Sequence, residues 1–107
     1  MVYLFVSILF PSDKAPDAGK KFLEQLKKYP DDETLYESLV DAAVKTTEDG
    51  IRAVSISRVK KGKLEESLIL TNNILAMYNE VEGLEYTVEI WQEPAEALAT
   101  IGLKIPD

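Results

Sequence analysis

The stretch from Val2 to Phe10 constrains this chain more than any other. It sets Val-Tyr-Leu-Phe-Val-Ser-Ile-Leu-Phe in a row and stops at Pro11. Such a density of β-branched and aromatic residues suits a buried, pleated strand. The run is about half the length of a membrane-spanning helix. It has no basic leader, and Pro11-Ser12-Asp13-Lys14 is not a small-residue cleavage site, so it does not read as a signal peptide. A buried strand in a cytoplasmic protein is expected, and the rest of the chain must supply what covers it.

Helical and alternating patterns follow in turn. Pro16 and Asp17 suit a helix first turn. Ala18, Phe22, Leu23, Leu26 and Tyr29 then keep helical spacing, with Lys27 and Lys28 at the end and Pro30 as the stop. Asp31 or Asp32 can cap a second helix with the stripe Leu35, Leu39, Val40, Ala43 and Val44, and Gly50 closes the turn after it. Ile51 to Val59 alternates as a strand, and Lys60-Lys61-Gly62-Lys63 is a turn. Leu64, Leu68, Thr71, Ile74, Leu75, Tyr78 and Val81 predict a long helix ending at Gly83, with Asn72 and Asn73 read as a solvent-facing residue and a cap. A hairpin strand over Glu65 to Leu70 is the competing reading. Leu84 to Gln92 alternates most clearly, and Glu93-Pro94 opens a short helix through Ala95, Leu98 and Ile101. The 107 residues suit a single domain, 1–107, of the α+β class: a small sheet with helices on one face.

Composition removes several chemistries. The net charge is −7 and Arg52 and Arg58 are the only arginines, so neither nucleic acid nor an anionic membrane is an expected partner. With no cysteine and no histidine, disulfides, thiol catalysis and the common zinc and haem ligands are excluded. No D-x-D-x-D-G loop is present either, and no metal or cofactor is expected.

Right-handed crossovers put helices on one side of a sheet. The aliphatic strand positions should point there: Val2, Leu4, Val6 and Ile8; Val54 and Ile56; Tyr86, Val88 and Ile90. The other face is then expected to hold Tyr3, Phe5, Ser7 and Leu9, with Ala53, Ser55 and Ser57, and with Glu85, Thr87, Glu89 and Trp91. This mixture is too apolar to stay wet, which marks an interface or a ligand groove. Tyr3, Phe5, Ser55, Ser57, Glu85, Glu89 and Trp91 form the candidate ligand-binding set. Glu85 and Glu89 lie roughly 13 Å apart along a strand, too far for a glycosidase-type pair. The serines have no histidine to activate them, so no catalytic residue is assigned.

This element order with two-faced strands resembles the dimeric α+β barrel superfamily of ferredoxin-like domains. The resemblance implies a homodimer or higher oligomer whose sheets pack face to face, and a small ligand held between sheet and helices. The usual βαββαβ order of that superfamily would need the hairpin reading of Glu65 to Leu70. Its members include small monooxygenases and isomerases, several of which rely on histidine. The reading that leads is therefore a homo-oligomeric domain binding an apolar or aromatic small molecule. The alternatives are a cofactor-free enzyme using Tyr, Glu or Arg, and a protein-interaction module. A cavity with a titratable group tuned towards neutral pH would favour the enzyme, a cavity without one the binding domain, and a flat apolar patch without a cavity the interaction module.

Overall fold

The computed structural model describes residues 1–106. Its strands are β1 (Val2–Phe10), β2 (Tyr36–Thr47), β3 (Gly50–Val59) and β4 (Glu85–Gln92), and its helices α1 (Ala15–Lys28), α2 (Leu64–Met77) and α3 (Pro94–Ala99). The strands form one antiparallel sheet in the order β2-β3-β1-β4. With α1 after β1 and α2 after β3, this is a small α+β fold compatible with a ferredoxin-like arrangement.

The apolar run at the N-terminus becomes a central strand, paired on both sides over nearly its whole length. Leu4 and Phe10 from β1 join Leu35, Val59, Leu75, Tyr78 and Val81 in the buried core. The long-helix reading of 64–81 holds, in that α2 runs from Leu64 to Met77 and a 3₁₀ turn continues it through Tyr78–Glu80. The competing hairpin strand over Glu65 to Leu70 does not form.

The expected second helix is replaced by β2, and this correction explains the topology. The fourth strand comes from Tyr36–Thr47, so the βαββαβ order arises without a strand at residues 65–70. The β2–β3 register shifts between Ser38 and Val40 and again between Val40 and Ala43. A bulge adds a residue to one strand and interrupts its two-residue period. Here the interruptions space Leu35, Leu39, Val40, Ala43 and Val44 as a helix stripe would. The acidic run before β2 is a turn: the Thr34 N–H donates to Asp32 Oδ1 at 3.0 Å instead of opening a helix. After β2, Glu48-Asp49 links Thr47 directly to its partner Gly50 in a tight hairpin.

A second correction concerns which residues share a face. In an antiparallel pair, residues opposite one another point the same way. Leu4 pairs with Ser57, Val6 with Ser55 and Ile8 with Ala53, so these small residues lie on the helix side. Val54, Ile56, Arg52 and Arg58 share the open face with Tyr3, Phe5, Ser7 and Leu9. The expected assignment for β3 was one residue out, which exchanges its faces. The assignment for β4 stands: Trp91, Glu89, Thr87 and Glu85 pair with Tyr3, Phe5, Ser7 and Leu9 on the open face. Tyr86 and Ile90 are on the helix side as expected, yet they remain 44% and 49% exposed, because the helices leave this edge of the sheet uncovered.

The molecule is long and thin, 49 × 31 × 19 Å, with a radius of gyration of 15.7 Å. A compact chain of this length has a radius of about 13 Å. Its accessible surface is 7310 Å², against about 6,000 Å² for a folded monomer of this mass.

Gly50 sits at φ 131°, and a Cβ there would collide with the carbonyl oxygen of Phe10. Gly62 is also left-handed, at φ 78°, but faces open space. Gly50→Ala should therefore cost roughly 3 kcal/mol or more through clash and strain together, and Gly62→Ala about 1 kcal/mol through strain alone. Urea unfolding of the two variants checks this; equal losses would place the hairpin elsewhere.

Candidate functional site

The helix-facing side of the sheet is underfilled. Where β1 offers Leu4, Val6 and Ile8, β3 offers only Ser57, Ser55 and Ala53. Small side chains opposite large ones leave room, and α1 and α2 arch over it. The result is a cavity of about 140 Å³ between the sheet and the two helices. Val6, Ile8, Phe22, Leu70 and Ile74 make its walls largely apolar.

The uncharged polar groups on those walls are hydroxyls, phenols and one amide. Tyr78 donates its hydroxyl proton to Gln25 Oε1 at 2.5 Å, tying the end of α2 to α1. Burial pushes the Tyr78 hydroxyl up to about 12. Tyr36, at the start of β2, donates to Asp31 Oδ1 at 3.1 Å, and burial is the main cause that raises its pKa as well. Both phenols therefore stay protonated near neutral pH. Ser67 and Thr71 lie one turn apart on the wall formed by α2. Ser67 is 2% exposed, and among the described residues its Oγ is the buried side-chain atom with no hydrogen-bond partner. No lysine or arginine lines the cavity; its charged residues are Asp31 and Asp41, both exposed.

The open face is a second surface of different character. Phe5 and Trp91 stack there, with ring centroids 5.0 Å apart and planes 19° apart. Trp91 is nevertheless 51% exposed. Arg52 donates to Ser7 Oγ at 2.6 Å. Arg58 forms an ion pair with Glu93, which holds that carboxyl below the usual range. Glu85 and Glu89 are exposed and form no ion pair among the described residues.

The seven candidate residues thus divide between two places. Tyr3, Phe5, Glu85, Glu89 and Trp91 gather on the open face, whereas Ser55 and Ser57 line the cavity on the other side. The set missed Gln25, Tyr36, Ser67 and Tyr78. The usable signal was Ser67 with Thr71, two hydroxyls at helical spacing within an apolar stripe. Asn72 and Asn73 drew notice instead, and both face solvent. Among the described residues no three acidic side chains converge as a metal site would require, and no helix is long and apolar enough to cross a membrane. Comparison with protein-family models, curated proteins and solved structures finds no match.

The raised Tyr78 has a consequence for alkaline stability. The unfolded tyrosine loses its proton near pH 10, whereas the folded one keeps it to about pH 12. The unfolded chain therefore binds fewer protons in that window, and stability should fall as pH rises from 10 to 12. Tyr78→Phe should flatten that part of the profile while costing about 1 kcal/mol at pH 7 for the bond to Gln25. Denaturant unfolding at several pH values measures both; an unchanged alkaline slope in the variant would mean that Tyr78 is not desolvated.

Proposed function

We propose that this protein is a small-molecule-binding domain that works as a homodimer. The observation that carries the binding half is the cavity between sheet and helices, apolar in its walls with a few inward polar groups. Its titratable phenols are pushed away from neutral pH, not towards it. An acid or base of pKa near 12 is poorly matched to catalysis at pH 7, which favours binding over the cofactor-free enzyme.

The open face supports the homodimer half. Phe5, Leu9, Val54, Ile56 and Trp91 form an apolar centre on it. The accessible surface exceeds that of a typical monomer of this mass by about 1,300 Å², more than the roughly 800 Å² that one side of a standard interface buries. Charge favours a second copy as the occupant. One row across this face reads Glu85, Leu9, Arg52, Lys45, from the β4 edge to the β2 edge. Two copies packed face to face about an axis parallel to the strands bring Glu85 of each over Lys45 of the other. An axis across the strands would oppose like charges. Sheets packed in this way, with a ligand under the helices of each subunit, would put the chain with the dimeric α+β barrels.

Sedimentation at micromolar concentration should give a species of twice the 12.0 kDa chain mass. Trp91→Ala, which removes an exposed aromatic anchor, should weaken association by about 2 kcal/mol and leave the fold intact. Glu85→Lys and Lys45→Glu should each weaken it, and the double variant should recover part of the loss. A monomer in the wild type would refute the homodimer, and no recovery in the double variant would refute the axis.

A further inference from the structure

We propose that the cavity takes an apolar molecule bearing an amine, whose ammonium group is held at the mouth by Asp31 and Asp41. This rests on the small-molecule reading above and names the ligand class for that same cavity.

The lining shows where the cavity opens. Of its described residues only Asp31, Asp41 and Ala42 are exposed; the others are buried or half-buried. All three belong to β2 or to the turn before it, so the mouth lies along that edge of the sheet. A bulge in β2 brings Asp41 there. Val40 pairs with Ile56 and Ala43 with Val54, which leaves Asp41 and Ala42 together opposite Ser55, a cavity residue. Bulges beside active sites re-aim side chains in this way.

The mouth is acidic and has no cation of its own. Among the described residues neither Asp31 nor Asp41 forms an ion pair, whereas Glu80, Glu93 and Glu96 each do. Lys60 and Lys63 act on the adjacent Asp32. The ammonium of Lys60 nevertheless donates to Glu33 O, that of Lys63 pairs with Glu66, and neither lysine lines the cavity. Both carboxylates are oriented from β2: Tyr36 donates to Asp31 Oδ1 at 3.1 Å, and Ser38 donates to Asp41 Oδ1. Among the described residues Oδ2 of each accepts no hydrogen bond. An ionised carboxylate has about four acceptor sites, so both keep capacity for N–H donors.

Depth separates the two halves of such a ligand. Val6, Ile8, Phe22, Leu70 and Ile74 wall the interior and suit an apolar body, whose burial drives binding. An ammonium at the exposed mouth stays partly hydrated and escapes the desolvation that a charge deep in the cavity would meet. A carboxylate or phosphate in the same position faces two like charges, with no lysine or arginine on the lining to offset them.

Hexylamine, hexanol and hexanoate share a six-carbon body and differ in the charge of the head. A cavity of about 150 Å³ in another protein takes up benzene, so a six-carbon body suits one of about 140 Å³. The full-length protein is titrated with each at neutral pH and low salt, following the methyl resonances of Val6, Leu70 and Ile74. Hexylamine should bind about fivefold more tightly than hexanol, and hexanoate more weakly than hexanol; high salt should shrink the amine's advantage to about twofold. Asp31→Asn with Asp41→Asn keeps the acceptors for Tyr36 and Ser38 but should abolish that advantage. Asp13→Asn with Asp17→Asn, on exposed carboxylates away from the lining, should preserve it. Hexanol or hexanoate binding as tightly as hexylamine overturns the amine class while the cavity remains a binding site. An advantage lost equally by both double variants, or by neither, overturns the role of Asp31 and Asp41. If none of the three probes moves the cavity methyls, the small-molecule reading fails and this inference with it.

Discussion

Everything in this fold depends on how β1 is paired. It lies between β3 and β4 and hydrogen-bonds to both without a register shift. Side chains alternate along a strand, so the two registers decide at once which residues look towards the helices and which do not. Leu4, Val6 and Ile8 draw Ser57, Ser55 and Ala53 with them on one side, and Val88 and Ile90 from β4. Tyr3, Phe5 and Leu9 draw Arg58, Ile56 and Arg52 on the other, with Trp91, Glu89 and Glu85.

The two faces then differ in a way that hydrophobicity alone would not suggest. β3 turns its bulky aliphatics, Val54 and Ile56, away from the helices and its serines towards them. A packed two-layer domain would do the reverse, since burying a Val or Ile side chain is worth about 1.5–3 kcal/mol. Under the proposed reading both faces are covered, the aliphatics by the sheet of a second copy and the serines by a ligand. The same logic accounts for the excess surface and the exposed Phe5–Trp91 stack.

The parts of this picture legible in the sequence are those where local pattern and tertiary context agree. The density of Val, Ile and Phe in β1, the Pro11 stop, the long α2 stripe and the strict alternation of β4 each point to one structure. Residues 36–47 were misleading because two register shifts in β2 break its alternation, and the remaining spacing imitates a helix. The Asp49-Gly50 pair was the stronger hint, since such a dipeptide next to alternating residues marks a hairpin. The face of β3 was not legible at all. Ala53, Ser55 and Ser57 alternate with Val54 and Ile56, and a rule that sends the greasier side inward assumes a single core. In consequence the candidate set is split in space: five residues share the open face, while Ser55 and Ser57 line the cavity on the other side.

The claim that the sheet carries a self-association face and a ligand face is testable through the absence of cysteine, which allows single thiols to be placed at will. Thr87 on the open face and Ser55 in the cavity are each replaced by cysteine, and the rate of thiol labelling is followed against protein concentration and against hexylamine. The account predicts that Thr87→Cys slows as the protein is concentrated and ignores hexylamine. Ser55→Cys should slow with hexylamine and ignore protein concentration. Labelling at position 87 that is independent of concentration, together with labelling at 55 that is independent of hexylamine, would contradict it.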